Sequence, residues 1–174
     1  MSTESKIILV AFATRYGSTR EAAEAVAAVL REEGLASDVQ LARKVTTFNG
    51  YRAVVLGAPL YFGSWHKEAL ALLARNQQAL QGLLVAVFAL GPLDNDPQGR
   101  EEGRAQLRKA LAGLRLEPVR SEVFGGKYDP AKLRFTDRLI AGLPASPLHG
   151  APASDARDWD AIRSWARDLA GRLR

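Results

Sequence analysis

Apolar and polar positions divide this chain into two kinds of strand. Residues 7–13 (IILVAFA), 53–58 (AVVLGA) and 83–90 (LLVAVFAL) are unbroken apolar runs, the pattern of strands covered on both faces of a parallel sheet. Residues 37–42 (SDVQLA) and 117–124 (EPVRSEVF) alternate apolar with polar, and Pro118 cannot donate to a ladder. The first three are predicted at the centre of a sheet and the last two at its edges. Between them Ala22, Val26, Val29 and Leu30 share one helical face, Ser18 and Glu21 are spaced as a capping box, and Gly34 stands where the helix would stop. Residues 66–80, 99–114 and 158–173 have the same period. The order β-α-β-β-α-β-α-β, followed by a tail and a last helix, predicts an α/β fold: a doubly wound three-layer sandwich with a five-stranded parallel sheet in the order 2-1-3-4-5. Ligands of such sheets bind beyond the carboxyl ends of the strands where the winding reverses, between strands 1 and 3.

Composition narrows the chemistry. With 174 residues, 47% of them apolar, the chain suits one well-buried core and is read as a single domain, 1–174. The absence of cysteine excludes disulfides, thiolate metal sites and cysteine nucleophiles, and two distant histidines leave little for zinc, so no metal site is expected. No signal-peptide core follows the first residues and no apolar run approaches membrane-spanning length, which makes the cytoplasm the expected location. The formal charge of +5 is spread out. Residues 100–138 hold ten basic and six acidic side chains, interleaved, as on a solvated helical face, which argues against nucleic acid as a partner.

The candidate chemistry sits in residues 13–21 (ATRYGSTRE), after strand 1 and in the first turn of its helix. Unsatisfied amides and the helix dipole favour an anion there. Thr14, Tyr16, Ser18 and Thr19 add hydroxyls and Gly17 allows close approach; capping alone accounts for one or two of these hydroxyls, not four. There is no G-x-x-x-x-G-K-[ST] and no G-x-G-x-x-G, and Ala13 and Thr14 stand where a phospho-acceptor domain needs acids. A mononucleotide phosphate held by hydroxyls and amides remains. After strand 3, residues 57–69 (GAPLYFGSWHKEA) place Tyr61, Phe62 and Trp65 beside Pro59 and Gly63, where a planar ring could stack.

With these loops the chain resembles the flavodoxins. TRYGST is similar to their FMN phosphate loop, so the resemblance implies FMN as cofactor, held by Thr14, Arg15, Tyr16, Gly17, Ser18 and Thr19. It also implies a ring-covering loop of Pro59, Leu60, Tyr61, Phe62, Gly63 and Trp65, with Gly63 offering a carbonyl to the flavin, and a third loop of Leu90, Gly91 and Pro92. The later half, with GGKYDPAKLRFTDRLIAGL (125–143) and DWDAIRSWARDLA (158–170), resembles a narrower family, the menaquinone-dependent protoporphyrinogen IX dehydrogenases of the HemG type. That resemblance implies an FMN-dependent oxidoreductase passing electrons from a reduced, porphyrinogen-like substrate to a quinone, with no catalytic acid or base identified. The alternative is an electron carrier meeting an acidic redox partner protein. An inserted segment of about 125–155 precedes the last helix, long enough to be functional. Leu133, Phe135, Leu139, Ile140 and Leu143 lie broadly on one side of a short helix, so 130–143 is a candidate for peripheral membrane contact, for holding a quinone or porphyrinogen, or for covering the sheet.

Overall fold

The computed structural model describes residues 7–61, 63–93, 96–146 and 148–174. In chain order its first half contains β1 (Ile7–Phe12), α1 (Ser18–Glu32), β2 (Ser37–Leu41), β3 (Tyr51–Tyr61), β4 (Ser64–Trp65), α2 (Lys67–Arg75) and α3 (Gln77–Leu80). The second half contains β5 (Leu84–Leu90), α4 (Pro97–Gly113), β6 (Arg120–Phe124), β7 (Lys127–Tyr128), α5 (Phe135–Ala141), β8 (Ser154–Asp155) and α6 (Trp159–Leu173). The five long strands run parallel in the order β2-β1-β3-β5-β6. The three unbroken runs are central and the two alternating ones are edges, as their patterns require.

Because successive side chains of a strand point to opposite faces, the central strands feed two cores. Ile8, Val10, Phe12, Val55 and Phe88 pack under α1 and α6 through Val26, Leu30, Trp165 and Leu169. Leu9, Ala11, Val54, Leu56 and Val87 pack under α2 and α4 through Leu72, Leu73, Leu107 and Leu111. Helices thus cover both faces of the sheet, giving three layers.

Local departures from the sequence reading have local causes. The helix expected over 66–80 is two: Asn76 breaks it, its Nδ2 donating to the Leu72 carbonyl at 2.9 Å while its backbone leaves the helical region. β3 continues past 58 to Tyr61 and folds back on β4, with Leu60 opposite Trp65 and Tyr61 opposite Ser64. Gly63, at φ +79°, makes that reversal possible. No capping box forms at Ser18; Gly17 in the left-handed region is the N-cap, and Glu21 pairs instead with Arg157.

A left-handed residue also ends α4, but there it is Arg115, exposed and at φ +52°. Its N–H donates to the Ala112 carbonyl while that of Leu116 reaches Leu111, a closing turn in which glycine avoids the Cβ clash. Arg115→Gly is therefore expected to stabilise the chain by about 1 kcal/mol. Urea denaturation showing a loss of stability would contradict this.

Candidate functional site

Beyond the carboxyl ends of β1, β3 and β5 lies a cavity of about 400 Å³. Its first side is the loop that leaves β1. Thr14 Oγ1 accepts the Gly17 N–H at 2.9 Å, Gly17 takes φ +90°, and α1 begins at Ser18. The turn aims the amide end of a fifteen-residue helix at the crevice, where partial positive charge accumulates. Thr19 in that first turn is fully buried, and its hydroxyl has no hydrogen-bond partner. An orphaned buried hydroxyl beside unsatisfied amides, with Ser18 not used as a cap, is a neutral donor set that fits a phosphate monoester.

The second side is the β3–β4 turn. Pro59, Leu60, Tyr61 and Gly63 line the cavity. Burial pushes the Tyr61 hydroxyl up to about 12, so it remains a proton-bearing donor at neutral pH. The Arg15 guanidinium stands over its ring at 5.9 Å. Trp65, expected in this ring-covering group, turns the other way: it is 2% exposed beneath α2 and α4, and its Nε1 donates to the Ala58 carbonyl at 3.0 Å. The antiparallel pairing of β4 sets this direction, because Trp65 opposite Leu60 falls on the core face. Phe62 lies outside the described residues. His66 begins α2, where its Nδ1 accepts the Glu68 N–H at 3.2 Å and burial lowers its pKa.

Leu90 and Gly91 supply the third side, with Leu93 beyond them. Pro92, expected with them, does not line the cavity; its carbonyl accepts the N–H of Gly126, which does, at 2.7 Å.

The fourth side comes from the inserted segment of about 125–155, within which 130–143 is the sequence's candidate for holding a quinone or porphyrinogen; the sequence does not say which of its residues line the cavity. The chain leaves β6 through Gly125 and Gly126 and folds across the cavity, so that Tyr128, Lys132, Leu133, Asp137, Ile140 and Leu148 line it. The exit is tight. A Cβ on Gly125 would stand 2.1 Å from the Ala156 carbonyl oxygen, and the Gly126 carbonyl accepts the Ala156 N–H. β7 pairs antiparallel with β8, Lys127 opposite Asp155, which ties the two ends of the segment together. Arg157 locks that base to α1: it donates to both Asp155 carboxylate oxygens at 2.8 Å, to the Ser18 carbonyl and to Glu21, with its guanidinium 4.7 Å over Trp159. Those hydrogen bonds hold the Asp155 carboxyl below its usual range.

The far end of the segment is fastened to the loop after β1. Arg15 Nε donates to Asp137 Oδ2 at 2.7 Å, Arg15 Nη2 donates to the other oxygen, the Tyr16 hydroxyl donates to Oδ2, and the Arg134 N–H donates to the Tyr16 oxygen at 3.3 Å. Asp137 belongs to the R-x-x-D-R stretch singled out in the sequence, but nothing in a linear pattern says that it meets residues 15 and 16. The segment does not cover the sheet: Phe135 is 74% exposed, and Leu139, Ile140 and Leu143 are exposed beside it. Among the described residues no group of acids or histidines could hold a metal ion, and no helix is long and apolar enough to cross a membrane.

A doubly wound parallel sheet with a helix starting after its first strand, Pro59 and Tyr61 at the end of its third, and a cavity beyond the carboxyl ends of the central strands is a flavodoxin-like α/β fold with its crevice at the switch point. The chain belongs to the flavodoxin-domain family, whose description matches residues 9–154, and with that membership FMN is its cofactor and oxidoreduction its role. It is 26% identical over 171 residues to the protoporphyrinogen IX dehydrogenase [quinone] of Escherichia coli K12, covering 93% of both chains. Among solved structures, a short-chain flavodoxin associated with a PDU bacterial microcompartment matches with a TM-score of 0.61 at 14% identity, over 97% of this chain and 99% of that one. The rubredoxin oxygen:oxidoreductase of Desulfovibrio gigas matches with a TM-score of 0.56 at 14% identity, over 97% of this chain. This chain spans 36% of that protein's length, so the likeness concerns the fold of one part.

Proposed function

We propose that this chain is a quinone-linked FMN oxidoreductase acting on a porphyrinogen-type substrate. We also read residues 1–174 as one flavodoxin-like domain with 125–155 as an insertion. The observation that carries the reading is the fourth side of the cavity. An electron carrier needs a flavin edge exposed to its partner, whereas here a segment absent from the repeating β-α pattern covers one side of the crevice, with Tyr128, Leu133, Ile140 and Leu148 set among Lys132 and Asp137. The kinship to the E. coli enzyme over 93% of both chains supports the substrate class.

Bound FMN supplies two-electron redox chemistry; the chain's residues position and shield it. Ser18, Thr19 and the first amides of α1 would hold the phosphate, Thr14 keeps the Gly17 turn, and Pro59, Leu60, Tyr61, Gly63, Leu90 and Gly91 would hold the ring. Leu133 and Leu148, both half-buried, give the approach an apolar face suited to a quinone or tetrapyrrole edge. The exposed Phe135, Leu139 and Leu143, flanked by Arg134 and Arg138, suit contact with an anionic membrane surface where a quinone dissolves.

Replacing Thr14 and Thr19 together by alanine is expected to weaken FMN binding by about 2–4 kcal/mol, from roughly 1.5–3 for the Thr19 hydrogen bond to a charged group and about 0.5–1.5 for the Thr14 bond that holds the Gly17 turn. Fluorescence titration showing unchanged affinity would remove these residues from the site. The function is tested by reconstituting with FMN and following menaquinone-linked oxidation of protoporphyrinogen IX. Flavin loading without turnover on any quinone would favour the carrier.

A further inference from the structure

We propose that Lys127 and Lys132 form a carboxylate-reading edge of the cavity, set to receive the two acid arms of a flat, largely apolar ring while the ring itself lies against Tyr128 and Leu133. All four residues line the cavity from the inserted segment. The turn between the lysines is built locally: Asp129 Oδ1 accepts the Ala131 N–H at 3.0 Å and the Asp129 carbonyl accepts the Lys132 N–H at 3.1 Å, so residues Pro130–Lys132 close as one tight turn. On its near side β7 fixes the backbone of Lys127 against Asp155. Tyr128 is buried and Leu133 half-buried, which supplies an apolar wall beside the two ammonium-bearing residues.

Charge singles out these two side chains. Six charged residues line the cavity, Arg15, Glu21, Lys127, Asp129, Lys132 and Asp137. Arg15 is spent on Asp137 and Glu21 on Arg157. Asp129 turns one carboxylate oxygen back on its own turn. Asp155, the acid across the ladder from Lys127, gives both oxygens to Arg157. Among the described residues neither lysine forms an ion pair. The inserted side of the cavity is therefore left with two ammonium groups against one carboxylate. Both lysines are solvent-exposed, so a ligand reaches them without displacing a protein partner. A quinone has no charge to offer them, whereas a ring with two carboxylates gains a charge-assisted hydrogen bond at each. Ammonium groups on flexible stems also follow two flexible acid arms, where a planar guanidinium would demand one orientation.

The identity of the ring, a porphyrinogen with two propionate arms, rests on the function proposed above; the charge it must carry rests on the cavity alone. Protoporphyrin IX, the oxidised ring, is a probe that needs no turnover, and its dimethyl ester is the same ring without charge. In a fluorescence titration the FMN-loaded wild-type chain is expected to bind the acid about tenfold more tightly than the ester, the size of two partly exposed ion pairs. Lys127→Gln with Lys132→Gln should remove that preference and leave the ester unchanged. In turnover the same variant should raise KM for protoporphyrinogen IX about tenfold, with kcat and the KM for menaquinone unaltered. Lys44→Gln with Lys109→Gln, an equal loss of charge at two exposed positions off the cavity, should change neither readout. The proposal is overturned if the wild type binds acid and ester alike or binds neither, if the Lys127 and Lys132 variant keeps the preference, or if the Lys44 and Lys109 changes cost as much. It is also overturned if the Lys127 and Lys132 variant apoprotein loses affinity for FMN but not for riboflavin, which would assign both ammonium groups to the cofactor's phosphate. A lysine-dependent preference for the acid without quinone-linked turnover would sustain the site and remove the proposed function; quinone-linked turnover with equal KM for the reduced acid and the reduced ester would do the reverse.

Discussion

Gly57→Ala is expected to destabilise the protein by about 3 kcal/mol, the upper end of the usual cost of overpacking a core. A Cβ at this position would stand 2.0 Å from Cζ of Phe88 and within 2.5 Å of two more ring atoms, so the ring must move. It has nowhere to go. Phe88 is fully buried, opposite Gly57 in the β3–β5 ladder, with Phe124 and Trp165 against it at centroid distances of 6.2 and 5.9 Å. The consequence reaches the site, because Gly57 precedes the Pro59–Tyr61 wall of the cavity and its carbonyl receives the Ala13 N–H at the start of the loop after β1. Urea unfolding should show the loss, and Phe88→Leu in the same chain should recover part of it, since the two changes share one space. A cost below about 1 kcal/mol would mean that the aromatic cluster yields more easily than its packing implies.

Deleting residues 130–150 and joining Asp129 to Ala151 is expected to lower kcat/KM for porphyrinogen about 100-fold, close to 2.7 kcal/mol of transition-state stabilisation. Stability should change little. Among the described residues of that stretch Ala141 is the one that is buried, so little apolar burial is lost, and the β7–β8 pairing that closes the segment remains. The loops after β1, β3 and β5 also remain, so flavin should still bind, with its cavity open on one side. Flavin content, thermal unfolding and steady-state oxidation measured on the same variant separate the outcomes. Full flavin with unaltered turnover would remove the segment from catalysis; loss of fold and flavin together would make it structural.

How far the residues themselves reach is shown by particular elements. Continuous apolar runs against alternating ones separated β1, β3 and β5 from β2 and β6 and so yielded the strand order, because burial on two faces or one is written in the side chains of each strand. The turn after β1 was legible for a similar reason: a glycine and a helix start are adjacent in sequence, and the structure has Gly17 in the left-handed region with α1 beginning at Ser18. Trp65 could not be placed in the same way. Its apolar ring suits a flavin and a core equally, and the register of two residues of β4 against Leu60 and Tyr61 selects the core. The break at Asn76 depends on one side chain turning back to Leu72, a competition between local hydrogen bonds that periodicity does not see. The segment after β6 is the largest part left to the tertiary structure. Asp137 meets Arg15 across 122 positions of chain and Arg157 meets Ser18 across 139; such contacts exist only once the sheet has brought the carboxyl ends of β1 and β6 to the same edge. Sequence alone therefore determined the layers and the strand order, which are set by local pattern. Tertiary structure decided what closes the cavity and which charge occupies its wall, because those depend on the distance between residues that the chain itself keeps far apart.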